Sequence, residues 1–134
     1  NTVLVYYVQE AENADIKINI DIALPNEISI KDADLTVLFG NLIENAIDAC
    51  ENVQKDKRSI ELKIHRPNAG SIVFSIDNTF DGNIKMSGNK FLSTKQNGSG
   101  IGIESAKYVV EKYNGDMKIE INDNKFCVSG VLLQ

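Results

Sequence analysis

Apolar residues recur at two different spacings, which predicts that strands and helices alternate. Over 16–24 and 59–66, apolar and polar residues alternate one by one, as in strands with one buried face. The run SIVFSI over 71–76 follows the turn NAG and is expected to pair back on 59–66 as a hairpin. From Asp32, a candidate N-cap, the spacing changes to that of an amphipathic helix. The apolar residues of this helix are Leu35, Leu38, Phe39, Leu42, Ala46, Ala49 and Val53.

A second amphipathic helix and a hairpin follow near the end of the chain. The helix is expected to end at Gly115, and the hairpin joins MKIEI to FCVSGVLL through NDNK. Residues 77–99 are rich in Asn, Gly, Ser, Thr and Lys and predict a long connection, which is usually functional in a compact domain. With a helical tract over 3–14, this order is typical of an α+β fold with helices covering one face of a largely antiparallel sheet. The apolar stripe of the second helix consists of Ile103, Ala106, Val109, Val110 and Tyr113.

The composition limits the partners of the chain. Its 134 residues correspond to one domain, with 14 basic and 19 acidic residues and a net charge of −5. This charge argues against nucleic acid or an anionic membrane as the main partner, and no apolar run approaches the ~20 residues of a membrane span. Cys50 and Cys127 lack the spacing of metal ligands and are expected to be reduced, buried core residues.

Three glycines precede the second helix, in the run NGSGIGI over 97–103. This run is not a dinucleotide fingerprint, because position 103 is Ile and no strand leads into it, and it has no Gly-Lys-Ser/Thr ending. What remains is a glycine loop that opens a helix, where free N–H groups and the helix dipole can hold an anion. A flexible turn is the alternative, and the glycines alone favour it. The three glycines of this run are Gly98, Gly100 and Gly102.

Polar residues form a narrow stripe on the first amphipathic helix. Asn41, Asn45 and Asp48 are four and then three residues apart, so that at ~100° per residue they lie on one side, beside the apolar face. Asn is a weak helix former, and its amide oxygen can bind Mg²⁺ together with phosphate groups. An ordinary polar edge facing solvent explains the stripe equally well.

A third candidate site follows the strand at 71–76, in FSIDNTFDG. Asn78 lies on the same strand face as Phe74 and Ile76, and Gly82 follows four residues later. An inward amide both donates and accepts hydrogen bonds, so it could pair with the edge of a nucleotide base. The alternative is an Asn that begins a turn. Asp77 is expected on the opposite face.

Together these motifs resemble the catalytic ATP-binding domain of bacterial sensor histidine kinases, in the GHKL superfamily. Within that group the sequence is most similar to peptide-sensing kinases of the quorum type. NLIENAIDA corresponds to the N box, NTFDG to the first glycine box, and STKQNGSGIGIESAKYVVEKYNG to the lid and second glycine box. The motifs occur in the family order, and the resemblance extends from residue 16 to the final hairpin.

The resemblance implies a two-layer α/β sandwich of the Bergerat type that binds Mg-ATP beneath a lid. By family position, Asn45 would be the Mg²⁺ ligand, with Asn41 one turn earlier, and Asn78 would read the adenine amino group. The phosphates would be held by the glycines of the second box, namely Gly98, Gly100 and Gly102. Gly82 belongs to the first box, and Lys95 either contacts a phosphate or is a solvated loop lysine.

Two positions depart from the family pattern, and one histidine is informative. The first glycine box usually reads Asp-x-Gly-x-Gly, whereas this chain has NTFDG, with Asn78 in place of the Asp. Asp48 stands where many kinases have Lys. The family phosphorylates a histidine on a separate helical domain, and His65 lies in a predicted strand. We therefore expect the acceptor histidine upstream, with 1–14 the end of a dimerisation helix or linker and 15–134 the ATP-binding domain.

The expected function is transfer of the ATP γ-phosphoryl group to that upstream histidine. The resemblance implies a homodimeric full-length protein, membrane-anchored with this domain in the cytoplasm, that signals to a response regulator; the fragment alone is expected to be a monomer. One alternative is a GHKL switch that hydrolyses ATP, although such relatives carry Glu at the position of Asn41. The other is a non-catalytic nucleotide-binding or docking module.

Overall fold

A computed structural model describes residues 2–83, 85–87, 90–92 and 101–134 of the chain. Its elements are α1 (Thr2–Asn13), β1 (Lys17–Ala23), α2 (Asp32–Cys50), a short 3₁₀ helix (Lys55–Lys57), β2 (Ser59–Asn68), β3 (Ser71–Thr79), β4 (Lys85–Ser87), β5 (Lys90–Leu92), α3 (Ile101–Lys112), β6 (Asp116–Asn122) and β7 (Lys125–Leu133). None of the helices in these ranges is long and apolar enough to cross a membrane.

Five of the strands form one mixed sheet in the order β1-β2-β3-β7-β6. β1 runs parallel to β2, and every other neighbouring pair in this sheet is antiparallel. The predicted hairpin of β2 and β3 is confirmed. β2 buries every second residue up to Ile64, and β3 does so along its whole length. The α+β class and the largely antiparallel sheet are therefore as expected from the sequence.

The core lies between one face of the sheet and the helices. Phe39 of α2 packs edge-on against Phe74 of β3, with ring centroids 5.6 Å apart, and Ala106 of α3 is fully buried. On the other face the strands carry polar residues such as Lys63 and Ser75. The helices thus cover a single face of the sheet, and the other face is polar.

Several predictions about element ends are wrong by a few residues. The N-cap of α2 is Lys31, not Asp32, and α3 ends at Lys112. The left-handed residue after α3 is Asn114, with φ 55°. Gly115 is needed for a different reason, because a Cβ there would lie 1.8 Å from the Val131 carbonyl oxygen.

The predicted connection over 77–99 is also partly wrong. β3 continues to Thr79, and the short strands β4 and β5 pair with each other in antiparallel orientation. The expectation for the cysteines holds for Cys50 alone: both thiols are free, but Cys127 is only half-buried. It faces the polar side of the sheet, between the inward Phe126 and Val128.

Arg58 joins the ends of two helices. Its guanidinium donates hydrogen bonds to the carbonyl oxygens of Val53 (2.9 Å) and Glu51 (3.1 Å), just after α2, and of Ala14 (2.6 Å), just after α1. Terminal carbonyls of a helix have no partner within the helix, and a cation is favourable beside them. One side chain therefore ties α1 and α2 to the start of β2.

Candidate functional site

The polar stripe of α2 lies at the edge of the core. Asn41, Asn45 and Asp48 are each half-buried, while Leu42 and Ala46 beside them are buried. The predicted position of the stripe is thus confirmed. Asn41 donates a hydrogen bond from Nδ2 to the Val37 carbonyl oxygen at 2.7 Å. This bond is made by the amide nitrogen, so the Oδ1 atom can serve as an acceptor or metal ligand.

The first turn of α3 lies against this stripe. A Cβ on Gly102 would be 3.6 Å from the Asn41 backbone oxygen and 3.8 Å from its Oδ1 atom. These are ordinary contact distances, so the backbone of α3 approaches α2 closely at this point. The N-terminus of a helix carries free N–H groups and a partial positive charge. The two sequence motifs therefore meet where an anion could be held beside the amide stripe.

Asn78 occupies the inward position near the end of β3. It is only 2% exposed, and its neighbours across the sheet are Ile60 and Phe126. Its Nδ2 atom donates to the Thr79 carbonyl oxygen at 3.0 Å. Asp77 faces the opposite side, in register with Cys127. The predicted strand register is therefore confirmed, and Asn78 presents a buried amide on the helix side of the sheet.

The segment after β3 has a defined conformation. Phe80 is buried against Phe126, with ring centroids 5.9 Å apart, and its N–H donates to the Asn124 carbonyl oxygen at 2.9 Å. Asp81 Oδ1 accepts the N–H of Asn83, also at 2.9 Å. Gly82 has φ 87°, in the left-handed region that favours glycine. The first glycine box is thus a shaped turn anchored by one aromatic residue.

A buried thiol connects the last turn of α2 to the end of β3. Cys50 is fully buried, and its Sγ atom lies 3.4 Å from the Thr79 carbonyl oxygen and 3.6 Å from that of Ser59. Burial is the main cause that raises the pKa of this thiol. Because Thr79 follows Asn78, this contact sets the buried amide beside the end of α2. The helical spacing predicted a buried Cys50, but it contained no signal for this partner.

α2 therefore runs along the whole candidate site. Gly102 lies at Asn41, and Thr79 lies at Cys50 nine residues later, a distance of ~13.5 Å along the helix axis. Asn45 and Asp48 fall between these two contacts along the axis, on the side of Asn41, whereas Cys50 is about two and a half turns from Asn41 and faces the opposite side of the helix. The structure thus places Gly102 against Asn41, with Asn45 on the same side of α2, and Asn78 near the other end of this helix. Lys95, Gly98 and Gly100 lie outside the described residues.

The chemistry of the site suits a cation that is shared with a ligand. In the part of the chain that the structure describes, no group of three or more His, Cys, Asp or Glu residues could hold a metal ion. Mg²⁺ usually keeps few protein ligands and is completed by water and phosphate oxygens. The amide oxygens of Asn41 and Asn45 fit a site of that kind, in which the protein supplies only some of the metal ligands.

Comparisons with known proteins identify the family and the fold of the chain. The family model described as GHKL domain matches residues 30–134. The catalytic domain of the histidine kinase ThkA is similar in structure, with TM-score 0.75 and 16% identity over 98% of this chain and 87% of that chain. The mycobacterial sensor histidine kinase MprB gives TM-score 0.73 and 15% identity, over 98% and 93%.

A third structure holds a nucleotide analogue. Full-length ShkA, solved in complex with AMPPNP, gives TM-score 0.71 and 15% identity over 97% of this chain and 28% of that chain. A comparison with curated proteins found no match. At these identities the solved structures establish the shared fold.

Proposed function

Starting from the fact that the chain belongs to the GHKL domain family, we propose that it is the catalytic ATP-binding domain of a sensor histidine kinase. Its reaction is the transfer of the γ-phosphoryl group of Mg-ATP to a histidine on a separate helical domain. The likeness of its fold to the ThkA and MprB kinases supports this proposal over other GHKL activities.

One observation carries the proposal: the contact between Gly102 and Asn41. It joins the second glycine box to the N box through two residues that are 61 positions apart in the sequence. A helix N-terminus beside an amide stripe offers both N–H donors for phosphate oxygens and oxygen ligands for a divalent cation. Neither motif would indicate phosphate transfer if it stood alone.

Each end of the site has a separate role in this proposal. Asn45 and Asn41 would hold Mg²⁺, which when bound offsets the negative charge of the phosphates. Gly102, with Gly98, Gly100 and Lys95 from the preceding segment, would hold the phosphates themselves. Asn78 would bind the adenine edge, since its buried amide can both donate and accept. Catalysis then consists mainly of positioning and charge stabilisation.

The acceptor histidine belongs to another domain in this proposal. His65 is exposed on the polar face of β2, between Ala23 of β1 and Val73 of β3 in register, on the opposite side of the sheet from Asn78. A histidine there is separated from the nucleotide by the sheet itself. We therefore assign the acceptor to an upstream dimerisation domain, to which α1 would lead.

The motif NTFDG indicates the group of histidine kinases to which we assign the chain. Because peptide-sensing kinases of the quorum type often carry Asn in the first glycine box, Asn78 favours that group. The full-length protein would then be a homodimeric, membrane-anchored bacterial sensor that signals to a response regulator, with this domain in the cytoplasm. The isolated chain would be a monomer.

Calorimetric titration with ATP, with and without Mg²⁺, tests the proposal. Wild type should bind ATP more tightly with Mg²⁺, and Asn45→Ala should remove that gain while the circular dichroism spectrum stays native. Asn19→Ala is the matched control, since Asn19 is exposed on β1. Acid-labile phosphate on the upstream domain, formed only when this chain and Mg-ATP are present, would identify the reaction. Failure of wild type to bind ATP would refute the proposal.

A further inference from the structure

Tyr113 connects three elements just after the end of α3. Its hydroxyl accepts the backbone N–H of Lys31 at 3.2 Å and donates to Asp34 Oδ2. Its carbonyl oxygen accepts the N–H of Leu133, at the end of β7, at 3.1 Å. Lys31 and Asp34 belong to the first turn of α2. One tyrosine therefore binds the start of α2, the end of α3 and the last strand.

The hydroxyl completes an N-cap that the local side chains do not make. Lys31, the N-cap residue of α2, makes no side-chain capping bond. Asp34 is the third helical residue, from which an acidic side chain often reaches back to the N-cap N–H in a capping box. Here the Tyr113 hydroxyl stands between the two groups, accepting from one and donating to the other. The cap of α2 thus depends on a residue that follows another helix.

The Asp34 carboxylate has a second partner from the same end of α3. Lys112 Nζ lies 3.1 Å from Oδ2 and 3.3 Å from Oδ1. The hydrogen bond from Tyr113, followed by that from Lys112, lowers the pKa of Asp34. The carboxylate is therefore charged at neutral pH and holds both residues that close α3.

These contacts lie on the same face of α2 as the candidate phosphate site. Asp34 and Asn41 are seven residues apart, which is about two helical turns and returns to the same side of the helix. α3 contacts this face in the reverse direction, with Tyr113 at Asp34 and Gly102 at Asn41. The helix pair is thus antiparallel, with polar bonds at one end and the phosphate-binding turn at the other.

We propose that Tyr113 and Asp34 are positioning residues for the phosphate end of the nucleotide site. Their bond sets the position of α3 along α2, and so the distance between the Gly102 turn and the amides of Asn41 and Asn45. This inference rests on the proposed function. Asn78 lies on β3 and is held by other contacts, so the base end of the site should not depend on Tyr113.

Because the phosphate end and the base end of the nucleotide site are held by different contacts, a variant can test one without the other. Tyr113→Phe removes only the hydroxyl. Mg-ATP affinity should fall roughly three- to tenfold, as for residues that couple to a site without touching the ligand, while adenosine affinity, measured by competition, should stay unchanged. Tyr108→Phe is the matched control, because Tyr108 is also on α3 but is 70% exposed. A general loss of folded protein would lower the affinity for both ligands equally.

A second variant keeps the inference falsifiable if Tyr113→Phe folds poorly. Asp34→Asn should show the same selective loss, and the double variant should lose no more than the larger single loss, because both changes break one unit. Equal losses for Mg-ATP and adenosine, or no loss, would overturn the positioning role. Wild type that binds no ATP would instead refute the proposed function, and this inference with it.

Discussion

Gly102 at the start of α3 is in close contact with Asn41 of α2. A Cβ added at position 102 would lie 3.8 Å from Asn41 Oδ1. That distance is an ordinary van der Waals contact, so the fold leaves room for a methyl group. The same space is where a phosphate would approach the first turn of α3. Stability and nucleotide binding therefore make opposite demands on this position.

Gly102→Ala should accordingly separate the two properties. Because Ala is a better helix former than Gly, the free energy of unfolding should rise by up to about 1 kcal/mol, as measured by urea denaturation. Mg-ATP affinity should fall, since the methyl group would occupy the approach of the phosphate. If Gly102→Ala binds as tightly as wild type, the backbone of this turn does not contact the ligand.

Asn78→Ala should remove the preference for ATP over GTP. The amide of Asn78 is buried on the helix side of β3, whereas Asp77 points to the other face. The change removes the group proposed to read the adenine edge, and the phosphate contacts remain. Competition of ATP and GTP for a fluorescent nucleotide would measure the ratio of affinities. Asp77→Ala is the neighbouring control and should keep the preference; the converse result would place the base on the other face.

Predictions from the sequence were accurate where a feature depends on local periodicity. The strand spacing of Phe74 and Ile76 predicted the face of Asn78, and the helical spacing from Asp32 predicted the side of Asn41 and Asn45. Both were confirmed because burial of one face leaves little freedom of register.

Contacts between distant segments could not be predicted in this way. Tyr113 carries the helical spacing of a core residue, and nothing around it indicates a bond to Asp34, 79 residues earlier. The sequence predicts a helix stop at Gly115, whereas the close approach of its backbone to Val131 is what excludes a side chain there. Each of these depends on how elements pack in three dimensions, and a single sequence contains no periodic signal for that.

Arg58→Ala should destabilise the fold without any direct effect on the ligand. The change removes three hydrogen bonds from a charged donor to carbonyls after α1 and α2. We expect a loss of about 2–3 kcal/mol in the free energy of unfolding. The ratio of the affinities for ATP and GTP should not change. Arg66→Ala, at an exposed site on β2, should change stability by less than about 0.5 kcal/mol. Similar urea midpoints for the two variants would contradict the proposed contribution of Arg58 to stability.

Cys127 should make the fold sensitive to alkaline pH. Burial, followed by its hydrogen bond with Asp77, raises the pKa of the Cys127 thiol from 9.0 to about 12. In the unfolded chain the thiol ionises at the lower value, so the native state keeps a proton that the unfolded state loses. This contribution to stability is complete below 9.0 and is lost as the pH rises towards about 12.

Cys127→Ala measures that contribution. Between about pH 8 and 10.5 the unfolding free energy of wild type should fall more steeply than that of the variant, because the variant lacks the titrating thiol. Urea denaturation at several pH values gives both slopes, and Cys50 is present in both proteins. Parallel slopes would show that the thiol titrates normally in the folded state.

The residue at position 41 bears on the fate of bound ATP. Hydrolysis needs a base within hydrogen-bond reach of the attacking water, and such a base typically contributes ~10²–10⁴-fold to the rate. The Asn41 amide can orient a water or bind Mg²⁺, but it cannot accept a proton. For a kinase this is favourable, because the phosphoryl group is kept for the histidine and is not lost to water.

The isolated chain should therefore bind Mg-ATP and hydrolyse it very slowly. Asn41→Glu places a carboxylate on the same face of α2, beside Gly102, and should raise the rate of phosphate release unless the carboxylate binds Mg²⁺ instead. Asn19→Glu is the control for an added charge away from the site. The decisive measurement is the rate of ATP hydrolysis by the wild-type chain. Steady turnover at rates typical of enzymes, ~1 s⁻¹ or more, would favour an ATP-hydrolysing switch over a kinase. A domain that hydrolyses its own ATP at such a rate needs no acceptor histidine.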